Sequence, residues 1–298
     1  VAWWASRQPP PELPSGAEGL SLLLAAIALY ALATLVRGER WLRLLRHDGA
    51  TPTRADAYAL TAVGYMGNNV LPARAGDAMR VYLQAPRAGT GMRNVVGTLV
   101  AERVLDAATL LTLFVLLAYG VLRGVDTPEA EGLLIALGAV ALVTLLAGLI
   151  GYALREREPV RRLLAFLGPM VVATRQLRGA HGRRMLSWTL LIWGLEAATY
   201  LAAGHSVELR MSALEALYVV ALASVFVLVP SGPGYVGTLD AALLFGARAI
   251  GAAGGLAVSF LLAVRFVLLV PVTVAGAVLL LWRYGGRRGS NRSRQGGR

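Results

Sequence analysis

The sequence predicts an all-α, polytopic integral membrane protein, and three observations predict it. The 298-residue chain is 56% hydrophobic and only 15% charged, whereas soluble domains run nearer a quarter charged. Its mean hydropathy is +0.60. Long apolar runs alternate with short basic blocks, and the 29 lysine-plus-arginine positions are all arginine.

A spanning helix needs about 20 mostly apolar residues. Residues 19–36, 95–121, 132–154, 185–204 and 253–282 meet that requirement. Stretches 57–72 and 213–229 are apolar but shorter, and each runs into a proline- and glycine-rich break. The net charge of +12 is gathered into Arg37, Arg40, Arg43, Arg46 and Arg54, the loop 155–184 and the tail 283–298. The N-terminus sets Arg7 against Glu12 and Glu18, and residues 123–131 set Arg123 against Asp126, Glu129 and Glu131. Arginine excess marks cytoplasmic loops. The expectation is therefore a multi-pass plasma-membrane protein with its N-terminus outside and its C-terminus inside. Residues 1–18 form an extracytoplasmic segment without a signal-peptide pattern. Residues 19–282 form one transmembrane domain with a cytoplasmic basic loop at 155–184. Residues 283–298 form a basic tail expected to be disordered. Arginines placed between apolar runs do not suit nucleic acid.

Segment 57–72 is flanked by basic residues on both sides, with Arg74, Arg80, Arg87 and Arg93 following it. It is expected to enter and leave on one face. Alternation of the remaining spans then makes 213–251 enter and leave on the other. Such re-entrant backbone needs a protein-lined or wet surround. The two breaks also resemble each other: "VLPARAGDAMRVYL" at 70–83 and "LVPSGPGYVGTLDAALL" at 228–244. Pro72 and Gly76 break the first; Pro230, Gly232, Gly234 and Gly237 break the second. Laying "LVAERVLDAATLLTLFV" on "LLAVRFVLLVPVTVAGAV" pairs Arg103 with Arg265. Two inverted repeats whose broken helices meet at a ligand site are a recurring transporter plan.

Polar residues inside apolar runs are the candidate site. An arginine at the centre of a span costs roughly 2.5–3.5 kcal/mol on insertion scales, so Arg103 needs a partner or water. Asp106, three residues on, shares its helix face, while Glu102 points elsewhere, towards Arg74, Arg80 or another helix. A structural ion pair and a ligand-facing cation both fit Arg103. Arg265 has no acid near it in sequence; its partner is Glu196, a carbonyl freed by Pro271, or a bound anion. Asn68 and Asn69 can donate and accept where the helix breaks, and Asp77 suits the first turn of the next helix. Arg74 and Arg80 beside free backbone N–H groups make an anion site. Glu102, Asp106, Glu196 and Asp240 are candidate proton carriers.

Chemistry is narrowed by what is missing. There is no cysteine, and His47, His181 and His205 have no ligand spacing, so no metal or cofactor is expected. No phosphate-binding loop of the nucleotide-hydrolysing type occurs, and no βαβ unit surrounds the glycines of the second break.

The run "NNVLPARAGDAMR" at 68–80, the "ERVLD" that follows and the "VPSGPGYVGTLD" segment resemble the lysylphosphatidylglycerol synthase transmembrane region, the flippase-like family, over about residues 20–282. Asp77 stands where that family has glutamate, and Pro233 and Tyr235 interrupt its glycine pattern. The resemblance implies lipid translocation. In the multiple peptide resistance factors the similar region moves aminoacylated phosphatidylglycerol, and a separate soluble domain makes it. Stand-alone relatives are tied to glycolipid, polyprenyl-linked sugar or hopanoid pathways. The implied partners are anionic or polyprenyl-phosphate lipids, together with a separately encoded lipid-modifying enzyme, and the implied chain is not an enzyme. Two rivals remain at this stage. One is a membrane transferase using Asp77 with Glu102 on a lipid-linked substrate. The other is a non-catalytic subunit recruiting partners through its basic loop.

Overall fold

The structure is a computed structural model that describes residues 11, 13–72, 74–117, 177, 179–227 and 232–285. The expected span 132–154, Pro230, and most of 1–18, 155–184 and 283–298 lie outside the described residues. Among the described residues eight α-helices follow in order: α1 Gly16–His47, α2 Arg54–Val70, α3 Ala75–Gln84, α4 Met92–Val115, α5 Gly179–His205, α6 Ala213–Val227, α7 Thr238–Ala249 and α8 Gly254–Leu279. A 3₁₀ turn, Pro233–Tyr235, precedes α7, and a π turn, Leu280–Tyr284, ends α8. No strand occurs among the described residues. The chain is an all-α integral membrane protein.

Among the described residues three helices are long and apolar enough to cross a bilayer: α1, α5 and α8 with its π turn. The 24-residue α4 is also long enough to span, but Glu102, Arg103 and Asp106 interrupt its middle. α1 overshoots its expected end. Its 32 residues run about 48 Å at 1.5 Å per residue, against a hydrocarbon core of about 30 Å. Arg37 and Arg40 do not stop it, because arginine is a good helix former and both side chains find partners inside the protein.

Local chemistry sets the breaks. At the start of α2 the Thr53 hydroxyl accepts the Asp56 N–H at 3.1 Å, an N-cap. Pro72 forces the residue before it out of helical geometry, and Leu71 is extended at φ −103°, ψ 149°. The chain then reverses. A Cβ on Gly76 would lie 1.9 Å from the Gly64 carbonyl oxygen and 2.5 Å from the Asn68 nitrogen. Further along α3, the Arg80 side chain covers Gly64 and reaches Thr61 at 3.5 Å. Rising numbers on α3 meet falling numbers on α2, so the two form an antiparallel hairpin that needs glycine at 76. α6 and α7 make a second hairpin, with Gly246 against Val219 and Leu222.

Two apolar cores result. One gathers α5–α8 with Ala26 and Tyr30 of α1 and Leu110 and Phe114 of α4. The other gathers Trp41, Leu42 and Leu45 of α1 with α2, α3 and Leu99 of α4. On α1, Arg37 stands between Tyr30 and Trp41. On α4, Glu102, Arg103 and Asp106 stand between Leu99 and Leu110. A charged layer therefore separates the cores.

A Asp56 clamp closes the second core. Its carboxylate accepts from Arg283 Nε and the Tyr284 hydroxyl, both at 3.1 Å, pinning the end of α8 to the start of α2.

Candidate functional site

The charged layer is built from α1, α3, α4 and α5. Arg37 pairs with Glu196. Arg40, 2% exposed, donates to both Asp106 oxygens at 2.6 and 3.0 Å and to the Thr189 hydroxyl at 2.8 Å. Glu102 lies between Arg40 at 3.5 Å and Arg80 at 3.4 Å. Arg103 is held loosely, 3.7 Å from Asp77 and 3.8 Å from Asp106. Four arginines face four carboxylates, so the layer carries no net charge. The Arg80 guanidinium also lies 4.0 Å from the Trp41 ring centroid, and the Trp41 indole donates to Thr98 at 3.0 Å. Pairing offsets a desolvation cost of several kcal/mol per buried ion.

The second group forms where the two breaks meet. A Cβ on Gly234 would lie 3.4 Å from the Asn69 carbonyl oxygen. The Asn69 amide donates to the Thr273 hydroxyl at 2.9 Å, tying α2 to α8. Arg265 pairs with Asp240 and donates to the Gly234 carbonyl at 3.3 Å. The other Asp240 oxygen accepts the Gly237 N–H at 2.9 Å, which fixes the start of α7. Arg74 places its guanidinium carbon 5.6 Å from the Tyr235 ring centroid. Arg74 and Tyr235 both have left-handed backbones, at φ 55° and 56°.

Unlike Arg37, Arg40, Arg80, Arg103 and Arg265, Arg74 forms no ion pair among the described residues. Its Nε is buried without a hydrogen-bond partner, as are those of Arg40, Arg80 and Arg103. Its surroundings leave the guanidinium as the principal donor, since the Ala75 and Asp77 N–H groups are taken up by Pro72 and Arg74 carbonyls at 3.2 and 3.0 Å.

The residues singled out from sequence thus fall into two sets. Asn69, Arg74, Asp240 and Arg265 meet at the breaks, with Pro72, Gly232, Gly234 and Gly237 shaping the backbone. Asp77, Arg80, Glu102, Arg103, Asp106 and Glu196 join the charged layer. Asn68 is buried against Gly76, and its Oδ1 has no partner. Arg103 does pair with Asp106, and Glu102 does turn towards Arg80. Arg265 takes Asp240, not Glu196, because Arg37 occupies Glu196. Arg37, Arg40 and Thr189 also belong to the layer; by sequence alone Arg37 and Arg40 read as a basic flank, and Thr189 carries no signal. The apolar positions Trp41, Leu44 and Leu45 continue the helical period past both arginines, and that was the available signal. His47 and His181, distant in sequence, stack with ring centroids 3.8 Å apart.

One kind of contact occurs twice. Asp77 opens α3 and meets Arg103 of α4; Asp240 opens α7 and meets Arg265 of α8.

Comparison with known proteins gives a family and one relative of note. The model of the family described as "Lysylphosphatidylglycerol synthase TM region" matches residues 1–276. A protein named "Glycosyltransferase AglD" from Haloferax volcanii is 26% identical over 266 residues, covering 74% of this chain. The match spans 42% of that relative's own length. No solved structure matches.

Proposed function

The chain belongs to the lysylphosphatidylglycerol synthase TM region family, and on that premise we propose that it carries an anionic lipid between leaflets. The cargo is a phosphate-containing lipid or lipid-linked sugar of the plasma membrane, and no covalent step is catalysed. The observation that carries this reading is Arg74, a cation without an ion-pair partner among the described residues, at the point where two broken hairpins touch. Arginine's planar fork suits phosphate oxygens.

In this mechanism the headgroup phosphate sits at Arg74 while the acyl or polyprenyl chains stay in the bilayer. Asn69, Thr273 and the Arg265–Asp240 pair line the junction. The neutral charged layer provides a polar path, and its loosest member, Arg103, exchanges Asp77 for the passing anion. The matched Asp77–Arg103 and Asp240–Arg265 contacts support two inverted halves. With hairpins entering from opposite faces, the N-terminus outside and the C-terminus inside, each leaflet reaches the junction through one half. The driving force in this reading is a gradient, a partner or the lipid's own imbalance.

Leaflet-resolved transport in reconstituted vesicles tests this, with a panel of anionic phospholipids and polyprenyl phosphates. Wild type should speed the movement of at least one lipid, and Arg74→Ala should lose at least about tenfold of that rate with its fold intact, an expectation in line with a lost charge-assisted contact. No movement of any lipid by folded wild type overturns the reading.

The name of the Haloferax volcanii relative favours a second reading, a membrane transferase acting on a lipid-linked substrate, with Asp77 and Glu102 as acid and base. Chemical conversion of a lipid by the purified chain, with no leaflet exchange, would establish it.

A further inference from the structure

The charged layer is neutral by itself, with four arginines against Asp77, Glu102, Asp106 and Glu196. A phosphodiester brings one further negative charge. When Arg103 turns from Asp77 to that anion, three cations are left with four carboxylates in a largely buried region. The arginines cannot adjust, because a guanidinium keeps its proton in proteins. Within the layer, balance can come only from a proton on one of the acids.

The four acids are not equal candidates. Asp106 accepts twice from Arg40, at 2.6 and 3.0 Å, and Glu196 pairs closely with Arg37. A proton on either would break a strong charge-assisted bond. The Asp77 side chain is 25% exposed, so water can carry its charge. Glu102 is 2% exposed, and each of its oxygens faces one arginine, Arg40 at 3.5 Å and Arg80 at 3.4 Å. Both distances exceed the roughly 2.7–2.9 Å of a charge-assisted bond. A proton on Glu102 therefore forfeits the least bonding, and it leaves Arg40 and Arg80 freer to answer an anion. Arg37 of α1 and Tyr65 of α2 complete the charged and titratable groups of the layer. A second observation concerns access. Gln84 is 0% exposed, and neither of its amide atoms has a partner. It lies one turn after Arg80 on α3, next to the turn at 85–90, where Pro86 and Gly89 are exposed. A buried amide unmet at both ends calls for water, here between the surface and the Arg80–Glu102 contact.

We propose that Glu102 binds one proton together with the anion, so that lipid and proton cross as a neutral pair. This rests on the translocation reading and names its driving force, a proton gradient. One O–H bond forms on the Glu102 carboxylate as the lipid enters, with the proton drawn from water. The same bond breaks as the lipid leaves, and the proton returns to water on the other side. Proton and anion each favour the other's binding by the same factor.

The probe is dihexanoyl phosphatidylglycerol, a phosphodiester whose own charge is constant from weakly acid to weakly alkaline pH. It is titrated into the full chain in nanodiscs of zwitterionic lipid. Binding heats in buffers of different ionisation enthalpy count the protons taken up per lipid. Wild type should take up about one, and its affinity should rise as pH falls, by up to about tenfold per pH unit. Glu102→Gln, which imitates the protonated acid, should take up none and bind with an affinity flat in pH. His181→Phe, lacking a titrating ring outside the layer, should match wild type. Should Glu102→Gln fail to fold, the wild-type count decides: about one proton supports the coupling and none overturns it. A pH dependence that persists in folded Glu102→Gln puts the proton elsewhere and overturns the proposal. The layer answers charge alone, so no binding of the probe at any pH overturns it as well. In sealed vesicles a pH difference should drive the lipid to one leaflet. Proton uptake by a chain that moves no lipid would keep the Glu102 site and sink translocation. Lipid movement indifferent to a pH difference, with pH-flat binding, would keep translocation and sink the coupling.

Discussion

Arg265 of α8 pairs with Asp240, the acid that opens α7, and thereby locks the second break against the helix that follows it. Arg103 of α4 and Asp77, the acid in the first turn of α3, make a similar contact but stand 3.7 Å apart, with side chains 38% and 25% exposed. The equivalent contacts should differ in strength. Asp240→Asn should cost about 2–3 kcal/mol, since it strands a largely buried arginine, while Asp77→Asn should cost under about 1 kcal/mol. Thermal unfolding in detergent checks this, and equal losses would mean that the tighter pair contributes nothing extra.

The charged layer turns on Arg40, which serves Asp106, Glu102 and Thr189 at once. Arg40→Ala should destabilise by about 3–5 kcal/mol, because it leaves buried carboxylates uncompensated. Arg40→Lys should recover less than half of that, since an ammonium cannot reproduce the two-pronged bond to Asp106. Arg43→Ala, whose side chain is 37% exposed, should change stability by less than about 0.5 kcal/mol. Denaturant titrations of the three variants would separate these outcomes.

Much of this architecture was legible in the sequence because it is periodic or punctuated. The end of α5 and the start of α8 announced themselves through apolar length, and the breaks through Pro72 and the glycines at 232, 234 and 237. What could not be read was pairing across helices. Nothing in the neighbourhood of Arg37 names Glu196, 159 residues away, and positive-inside counting treats a buried, paired arginine as a loop residue. Assigning Arg37 to Glu196 is what leaves Arg265 to Asp240, so one missed pair displaced another.

The first hairpin depends on an absent methyl. Gly76→Ala would place a Cβ 1.9 Å from the Gly64 carbonyl oxygen, which only separation of α2 and α3 can relieve. The expected cost is about 3 kcal/mol or more, the upper range for overpacking, together with loss of the Arg80–Glu102 contact. Gly194→Ala meets nothing within 4 Å and should stabilise α5 by about 0.5–1 kcal/mol through helix propensity. Melting temperatures moving in opposite directions would bear out the close approach, and a neutral Gly76→Ala would refute it.

The Asp56 clamp gives a pH dependence. Burial pushes the Asp56 carboxyl up, but hydrogen bonds from Thr53, Arg283 and Tyr284, with the charge of Arg283, outweigh it and hold the group below the usual carboxylate range. A depressed pKa contributes stability that is present above the unfolded value, about 3.9, and is lost as pH falls through the folded one. Hydrogen exchange at residues 279–285 should therefore be slow at neutral pH and speed up below about pH 4. Asp56→Asn should flatten that profile. Protection independent of pH in the wild type would show that the clamp does not hold the end of α8.

Arg74 keeps a left-handed backbone at φ 55°, ψ 36°, a conformation that costs an L-residue about 1–2 kcal/mol and glycine almost nothing. A cation retained at a strained turn, among described residues that give it no ion-pair partner, points to work done by its side chain. Three substitutions divide the backbone from the charge. Arg74→Gly relieves the strain and should raise stability by about 1 kcal/mol while abolishing lipid movement. Arg74→Ala keeps the strain and loses the same movement. Arg74→Lys restores the charge without the fork and should recover only part of the rate. Transport and unfolding measured on one set of preparations would show the two properties moving apart. Were Arg74→Gly to lose stability and transport together, Arg74 would be a fold residue, and the anion site would have to be sought at Arg103.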